Sequence, residues 1–181
     1  ASTEKQQDWV QVTKWDAEEV RLDCDLKEGR FSVTHVQQRN ISERTWPSSI
    51  ASSRAVVTGF WDVSKGARVL ELGSGGGLAA CVLARSGRVV TATDLPANIP
   101  HLEASLQRNG VLSSVKVRPL DWSQAPCSVV PFLDERWDFL LLNDCAYDAG
   151  ACVHLARTVA ALCYANPQMQ ILIANEPRTA L

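Results

Sequence analysis

The stretch VLELGSGGGLAA, residues 69–80, constrains the fold of this chain more than any other segment. An apolar run ends at Glu71, four glycines follow within positions 73–77, and small apolar residues come next. The pattern predicts a buried strand, a tight turn and the start of a helix. A turn of this kind lets the backbone approach a ligand closely and directs helix N–H groups toward it. We therefore expect a ligand site where this strand ends.

The same pattern of strand and helix repeats along the rest of the chain. Short apolar runs predict strands at residues 67–72, 88–94, 114–120, 137–144 and 169–176. Helices are predicted between them at residues 77–87, 97–110 (its regular part beginning near Pro100) and 149–167. This alternation predicts a doubly wound, Rossmann-like α/β sheet with mostly parallel strands. The fourth strand is almost entirely apolar, which predicts a central place in the sheet.

The N-terminal segment follows a different pattern, because its apolar residues alternate as they do in half-buried strands. These positions are Val10 and Val12, then Val20, Leu22, Cys24 and Leu26, then Phe31, Val33 and His35. KEGR (27–30) predicts a hairpin turn. We expect an N-terminal β-hairpin extension over residues 1–45 and an α/β domain over residues 46–181, forming one compact unit.

A helix is expected ahead of the first strand of the α/β domain. Pro47 suits the first turn of a helix, because its missing N–H has no partner there in any case. Four apolar residues then predict the buried face of this helix: Ile50, Val56, Val57 and Phe60.

The fifth strand is the last one predicted before Leu181. If the sheet ends there, that strand leaves a row of unpaired backbone groups. A continuation of the chain, a partner protein or the N-terminal strands are expected to cover this edge.

The first residue is Ala, which fits removal of an initiator Met or of a targeting peptide. The expected location is the cytoplasm or, in the second case, an organelle.

Composition lowers the expectation for several functions. The net charge of −2 gives no broad positive surface for a phosphate backbone, so nucleic acid is not an expected partner. No apolar run approaches the ~20 residues of a membrane-spanning helix. The six cysteines show no CxxC pair and are interpreted as reduced thiols. The histidines at 35, 101 and 154 lack metal-ligand spacing, so no metal is expected and all three are interpreted as structural or surface residues.

The residues around the glycines narrow the choice of ligand. No Lys follows them, as a phosphate-binding loop requires, and position 78 is Leu where a dinucleotide-binding fingerprint has Gly. An acid at position 71 would repel a diphosphate but suits a ligand that carries an ammonium or sulfonium group beside a carboxylate. S-adenosylmethionine is such a ligand. A turn used only for tight packing is the alternative.

Asp94 ends the second strand of the α/β domain, 23 residues after Glu71. This spacing matches that of the acid that binds ribose hydroxyls in related folds. The alternative is a helix N-cap, because DLPANIP precedes a helix.

Two further groups follow the third and fourth strands. Asp121 and Trp122 lie where a loop would run along an adenine ring, although a Trp is also a common core residue. Asp144 and Tyr147 are expected to face the crevice at the carboxyl ends of the strands. Helix capping by Asp144 or Asp148 is the alternative there.

These motifs together resemble the seven-strand, S-adenosylmethionine-dependent methyltransferases, and within them the lysine-methyltransferase-like group with its D-x-x-Y signature. The motifs that carry the resemblance are ELGSGGGL (71–78), TD (93–94), LDW (120–122), DCAY (144–147) and TWPSS (45–49), and the resemblance covers roughly residues 31–176. It implies a cofactor, S-adenosylmethionine, and the following site. Glu71, Gly73, Gly75 and Gly77 hold the methionine part, Asp94 the ribose, and Asp121 and Trp122 the adenine. Trp46 closes over the cofactor, while Asp144 and Tyr147 frame the methyl-acceptor channel.

The chain departs from the group at three points. Gly76 stands where the group usually has Thr, Cys145 and Ala146 are smaller than usual, and the last two strands of the seven-strand sheet are absent. The resemblance predicts a methyltransferase that acts on a protein, with lysine as the acceptor. The alternative is a catalytically inactive, methyltransferase-like subunit with a structural role in a larger protein assembly.

Overall fold

The computed structural model describes residues 9–26, 29–37 and 44–177. In chain order its elements are β1 (Trp9–Trp15), β2 (Glu19–Leu26), β3 (Gly29–Val36), α1 (Pro47–Val57), β4 (Arg68–Leu72), α2 (Leu78–Arg85), β5 (Val89–Asp94), α3 (Ile99–Arg108), β6 (Val115–Pro119), α4 (Val130–Leu133), β7 (Phe139–Asn143), α5 (Ala149–Ala165) and β8 (Gln170–Ala174). Short 3₁₀ turns lie at Pro96–Asn98, Leu112–Ser114 and Trp122–Gln124.

A five-stranded sheet forms the centre of the molecule. Its order is β6-β5-β4-β7-β8, and every neighbouring pair is parallel, which confirms the predicted α/β sheet. Each strand and each of the helices α2, α3 and α5 lies within its predicted range. β7 has a neighbour on both sides and all of its residues are buried, as its apolar sequence predicts. The chain runs outward from β4 through β5 to β6 and then returns to β7 on the other side of β4. This reversal opens a crevice at the carboxyl ends of β4 and β7.

The predicted N-terminal extension is a separate antiparallel sheet of order β1-β2-β3. β3 contacts α2 and α3. Leu22 and Val33 belong to the same buried apolar cluster as Val82 and Leu102 of the α/β part, so one core serves both sheets. Residues 27 and 28 of the predicted turn lie outside the described residues.

α1 begins at Pro47 as predicted, and Ile50, Val56 and Val57 are buried. The prediction for Phe60 is wrong, because its side chain is 82% exposed. The helix ends at Val57, and Gly59 then turns the chain with a φ of +77°. Phe60 therefore no longer follows the helical spacing that would place it on the buried face.

β8 lies at the edge of the described sheet and pairs with β7 alone. Its Ile171 and Ile173 are 40% and 59% exposed. The N-terminal strands pair only with one another in the described residues, so they add no strand beside β8. None of the described helices is long and apolar enough to cross a membrane.

The shared core gives a stability prediction. Leu22→Ala removes a fully buried side chain from the N-terminal sheet, so it should lower the free energy of unfolding by about 2–5 kcal/mol. Because the core is shared, urea unfolding followed by tryptophan fluorescence should remain a single transition. Phe60→Ala, at an exposed position, is the matched control and should change stability by less than about 0.5 kcal/mol. Two separate transitions would show that the sheet folds independently.

Candidate functional site

A cavity of about 710 Å³ opens at the carboxyl ends of the parallel strands. Loops after β4, β5, β6 and β7 form most of its wall, and the segment ahead of α1 closes one side. Eight of the ten residues predicted for the site line this cavity: Trp46, Glu71, Gly73, Gly75, Asp94, Trp122, Asp144 and Tyr147. Gly77 and Asp121 do not line it.

The glycine turn requires glycine for two different reasons. Gly73 has a φ of +63°, and a Cβ there would lie 3.1 Å from the Cys145 sulfur and 3.3 Å from the Trp122 ring. Gly77 has a φ of +71° and precedes α2, and a Cβ there would lie 2.6 Å from Leu102. Glycine at position 73 therefore leaves room for Cys145 and Trp122 beside the turn, whereas glycine at position 77 leaves room for Leu102 of α3 next to the start of α2.

Glu71 places a carboxylate at the base of the cavity, where its side chain is 1% exposed. Its Oε1 accepts a hydrogen bond from Asn143 Nδ2 at 3.0 Å, while Oε2 has no hydrogen-bond partner in the part of the chain that the structure describes. Burial raises the pKa of Glu71 to about 7. The nearby Ser74 hydroxyl and the Asn143 amide oppose this rise in pKa, and the charge of Asp94 adds to it. A cationic group in the cavity would satisfy the carboxylate.

Asp94 ties the glycine turn to the end of β5. Its Oδ2 accepts from the backbone N–H of Gly75 at 2.7 Å, and its Oδ1 accepts from Leu95 N at 2.8 Å and Asn98 Nδ2 at 2.7 Å. Its side chain caps neither the 3₁₀ turn after β5 nor α3, so the N-cap alternative does not apply. A carboxylate has about four lone-pair sites, so Asp94 retains acceptor capacity for hydroxyl groups.

The aromatic residues of the site lie on its walls. Trp122 contacts the glycine turn beside Gly73, and its indole N–H is buried without an acceptor among the described residues. Trp46 lies directly before α1 and lines the cavity. The Asp121 side chain caps the short turn after β6, accepting from Ser123 N at 2.9 Å and from Ser123 Oγ at 2.7 Å. Its predicted adenine contact stays a prediction.

Asp144 and Tyr147 follow β7 and both line the cavity. Asp144 is buried and is the one described residue other than glycine with a positive φ, 53°. Its backbone N–H donates to Ala174 O at 2.8 Å, and its Oδ1 accepts from Glu176 N at 3.3 Å. Tyr147 is 53% exposed. Asp148, not Asp144, caps α5 by accepting from Ala151 N at 2.8 Å.

The cavity wall also includes residues that sequence reasoning did not place in the site, among them His35, Asn143 and Cys145. His35 occupies an inward position of β3, where a polar residue in an apolar alternation was the available signal. Asn143 is a polar residue in an otherwise apolar strand. The Cys145 thiol donates to Leu72 O at 3.2 Å, and burial raises its pKa to about 12. Cys145 is therefore a packed thiol rather than a nucleophile, which agrees with the interpretation of the cysteines as reduced thiols.

Solved structures share this fold. One is precorrin 8w decarboxylase from Methanobacterium thermoautotrophicum (TM-score 0.55, 19% identity, 76% of this chain and 68% of that chain). Another is the glycopeptide N-methyltransferase MtfA in complex with sinefungin (TM-score 0.50, 22% identity, 70% of this chain and 48% of that chain). Together with the sheet order, they show a Rossmann-like α/β fold of the methyltransferase type.

Residues 26–180 match the lysine methyltransferase family, and the chain belongs to that family. Calmodulin-lysine N-methyltransferase of Arabidopsis thaliana is 30% identical over 120 residues, which are 63% of this chain and 38% of that protein. Diaminohydroxyphosphoribosylamino-pyrimidine deaminase of Schizosaccharomyces pombe is 33% identical over 111 residues, which are 61% of this chain and 27% of that protein. The chain thus spans well under half the length of these two relatives.

The buried carboxylate gives a prediction about stability and pH. The pKa of Glu71 is about 7 in the folded state, above its ordinary value of 4.5, so the native state keeps a proton that the unfolded chain releases in this range. The free energy of unfolding therefore falls as the pH rises from about 4.5 to 7, because the buried carboxyl must ionise in the folded state. Glu71→Gln removes this loss and keeps the acceptor for Asn143. Without ligand, the variant should be more stable than wild type at pH 8, by a margin on the order of 2 kcal/mol.

This prediction is checked by urea unfolding of both proteins at pH 4 and pH 8. Glu103→Gln changes an exposed carboxylate on α3 and is the matched control. An equal stability gap for Glu71→Gln at both pH values would contradict the proposed cost of ionising Glu71.

Proposed function

We propose that this chain binds S-adenosylmethionine in the cavity and supports methyl transfer to a lysine side chain of a protein. The observation that carries the proposal is the buried Glu71 carboxylate beside the glycine turn in a member of the lysine methyltransferase family. One of its oxygens has no hydrogen-bond partner among the described residues. An ionised Glu71 would pair with the ammonium group of the methionine part. The curated relative that modifies calmodulin supports a protein as the substrate class.

The remaining walls fit the other parts of this cofactor. Asp94 keeps acceptor capacity for the ribose hydroxyls, and Trp122 offers a large apolar surface to the adenine ring. Gly73 lines the cavity, and the absence of a side chain there lets Trp122 pack against the turn. Trp46 also lines the cavity and would exclude water.

The bound cofactor supplies an electrophilic methyl group, so the chain needs no covalent nucleophile. The protein aligns the acceptor and keeps water out. A lysine side chain has a pKa near ~10.4 and must lose a proton before it can react. Asp144 lies at the cavity wall in a fixed backbone conformation, where its carboxylate would orient the amine. Tyr147 lies nearer the solvent and would line the entry for the lysine side chain.

A structural role in an assembly is the second candidate, and a specific observation favours it. The edge strand β8 exposes Ile171 and Ile173, and such an edge is suited to pairing with another strand. A chain with this role alone would not need to bind the cofactor. Cofactor binding therefore separates the two candidates.

Cofactor binding is tested by calorimetry with S-adenosylhomocysteine, the demethylated product. Wild type should bind with a Kd on the order of micromolar. Asp94→Ala removes both the ribose acceptor and the partner of Gly75 N–H, so affinity should fall about ten- to a hundredfold. Glu103→Ala on the surface of α3 should bind like wild type. Absence of binding by wild type, or equal binding of NAD, would refute the proposal.

Asp144 is tested by methyl transfer to lysine-containing proteins. Asp144→Ala and Asp144→Gly should each lower kcat by about a hundredfold while S-adenosylhomocysteine still binds. Because the φ of Asp144 is 53°, glycine fits the backbone better than alanine, and Asp144→Gly should be the more stable variant by about 1 kcal/mol. Unchanged kcat in both variants would remove Asp144 from the acceptor site.

A further inference from the structure

His35 of the N-terminal sheet packs directly against the glycine turn of the α/β part. Its side chain is 1% exposed and lines the cavity together with Gly76. A Cβ built on Gly76 would overlap the imidazole ring, with His35 Nδ1 only 2.6 Å away. The two positions are 41 residues apart in sequence, so the contact exists only in the folded chain.

The space beside Gly76 is closed by His35 and not by the backbone. The φ of Gly76 lies outside the left-handed region, unlike those of Gly73, Gly75 and Gly77. An ordinary residue would therefore fit the backbone at position 76 if the imidazole ring were absent. This explains why the chain has no side chain at position 76 although the turn itself tolerates one.

His35 is also held by the segment that leads to α1. Its Nδ1 lies 2.7 Å from Thr45 Oγ1, and the Thr45 N–H donates to Gln37 Oε1 at 3.2 Å. The next residue is Trp46, another part of the cavity wall. The ring of His101 on α3 lies beside the His35 ring, with the two ring centroids 5.7 Å apart. His35 thus connects the N-terminal sheet, the glycine turn and the Trp46 segment.

We propose that His35 is a positioning residue of the cofactor site, and that its imidazole takes the place of a side chain at position 76. The N-terminal sheet then builds part of the methionine end of the cavity rather than only covering the core. The proposal rests on the proposed function, because it assumes that the cavity holds the cofactor. It predicts that positions 35 and 76 are exchangeable: either one can carry the side chain that fills this space, but not both.

The test is a double-mutant cycle with calorimetry of S-adenosylhomocysteine, supported by the Tm of each variant. His35→Ala should weaken binding about tenfold because it opens the wall and frees Thr45. Gly76→Thr alone should also weaken binding about tenfold or more, because it displaces the ring. The double variant His35→Ala with Gly76→Thr should bind more tightly than either single variant, to within about threefold of wild type.

Gly77→Thr is the matched control. Its φ of +71° and the Leu102 methyl group 2.6 Å from its Cβ position oppose any side chain, so His35→Ala should not rescue it. Rescue at position 76 but not at 77 supports the proposal, even if the single variants have a lowered Tm. It is overturned if His35→Ala binds like wild type, or if the double variant binds no better than Gly76→Thr alone. Absence of binding by wild type overturns the proposed function and this inference together.

Discussion

The carboxylate of Glu71 is buried at the point where the middle strand of the parallel sheet ends, and the surrounding structure is organised around it. Asn143 at the end of β7 donates to one of its oxygens, and Thr93 near the end of β5 donates to its backbone carbonyl at 2.7 Å. The Ser74 N–H in turn donates to Thr93 O at 2.9 Å, which fixes the start of the glycine turn. The three strands therefore meet in one network, and a buried acid with a pKa near 7 is its centre. Ionising such a buried carboxylate costs free energy in an empty cavity, whereas a cation bound beside it would stabilise the ionised form.

The two sides of the cavity are supported differently. The side proposed for the cofactor depends on interior strands β4 and β5 and on the glycine turn, which Asp94 secures. The side proposed for the acceptor depends on the loop after β7, and this loop is attached to the edge strand. Asn175, directly after β8, exchanges two hydrogen bonds of 3.3 Å with the backbone of Ala146. The position of Asp144 is thus set by contacts with residues that follow β8.

Local patterns were sufficient for much of the fold, because the apolar runs of β4 to β8 and the glycine turn carry their own signals. The N-terminal strands were also predictable from the alternation of residues such as Leu22 and Val33. Phe60 was misplaced because the apolar spacing continues past the end of α1. α4 gives no sequence signal of its own, since it is a single turn beginning near Pro131.

For the site, Glu71 and Asp94 could be predicted from their places at strand ends. The role of His35 could not, because it depends on a contact with a turn far away in sequence.

Under the proposed function Asp94 would have two uses, and this would limit how the site can change. The same two oxygens that are available to a sugar also hold Gly75, Leu95 and Asn98 in place. A substitution that alters sugar preference would therefore also release the loop on which the ligand rests. If the proposed function holds, selectivity for the nucleoside and the architecture of this loop must therefore evolve together.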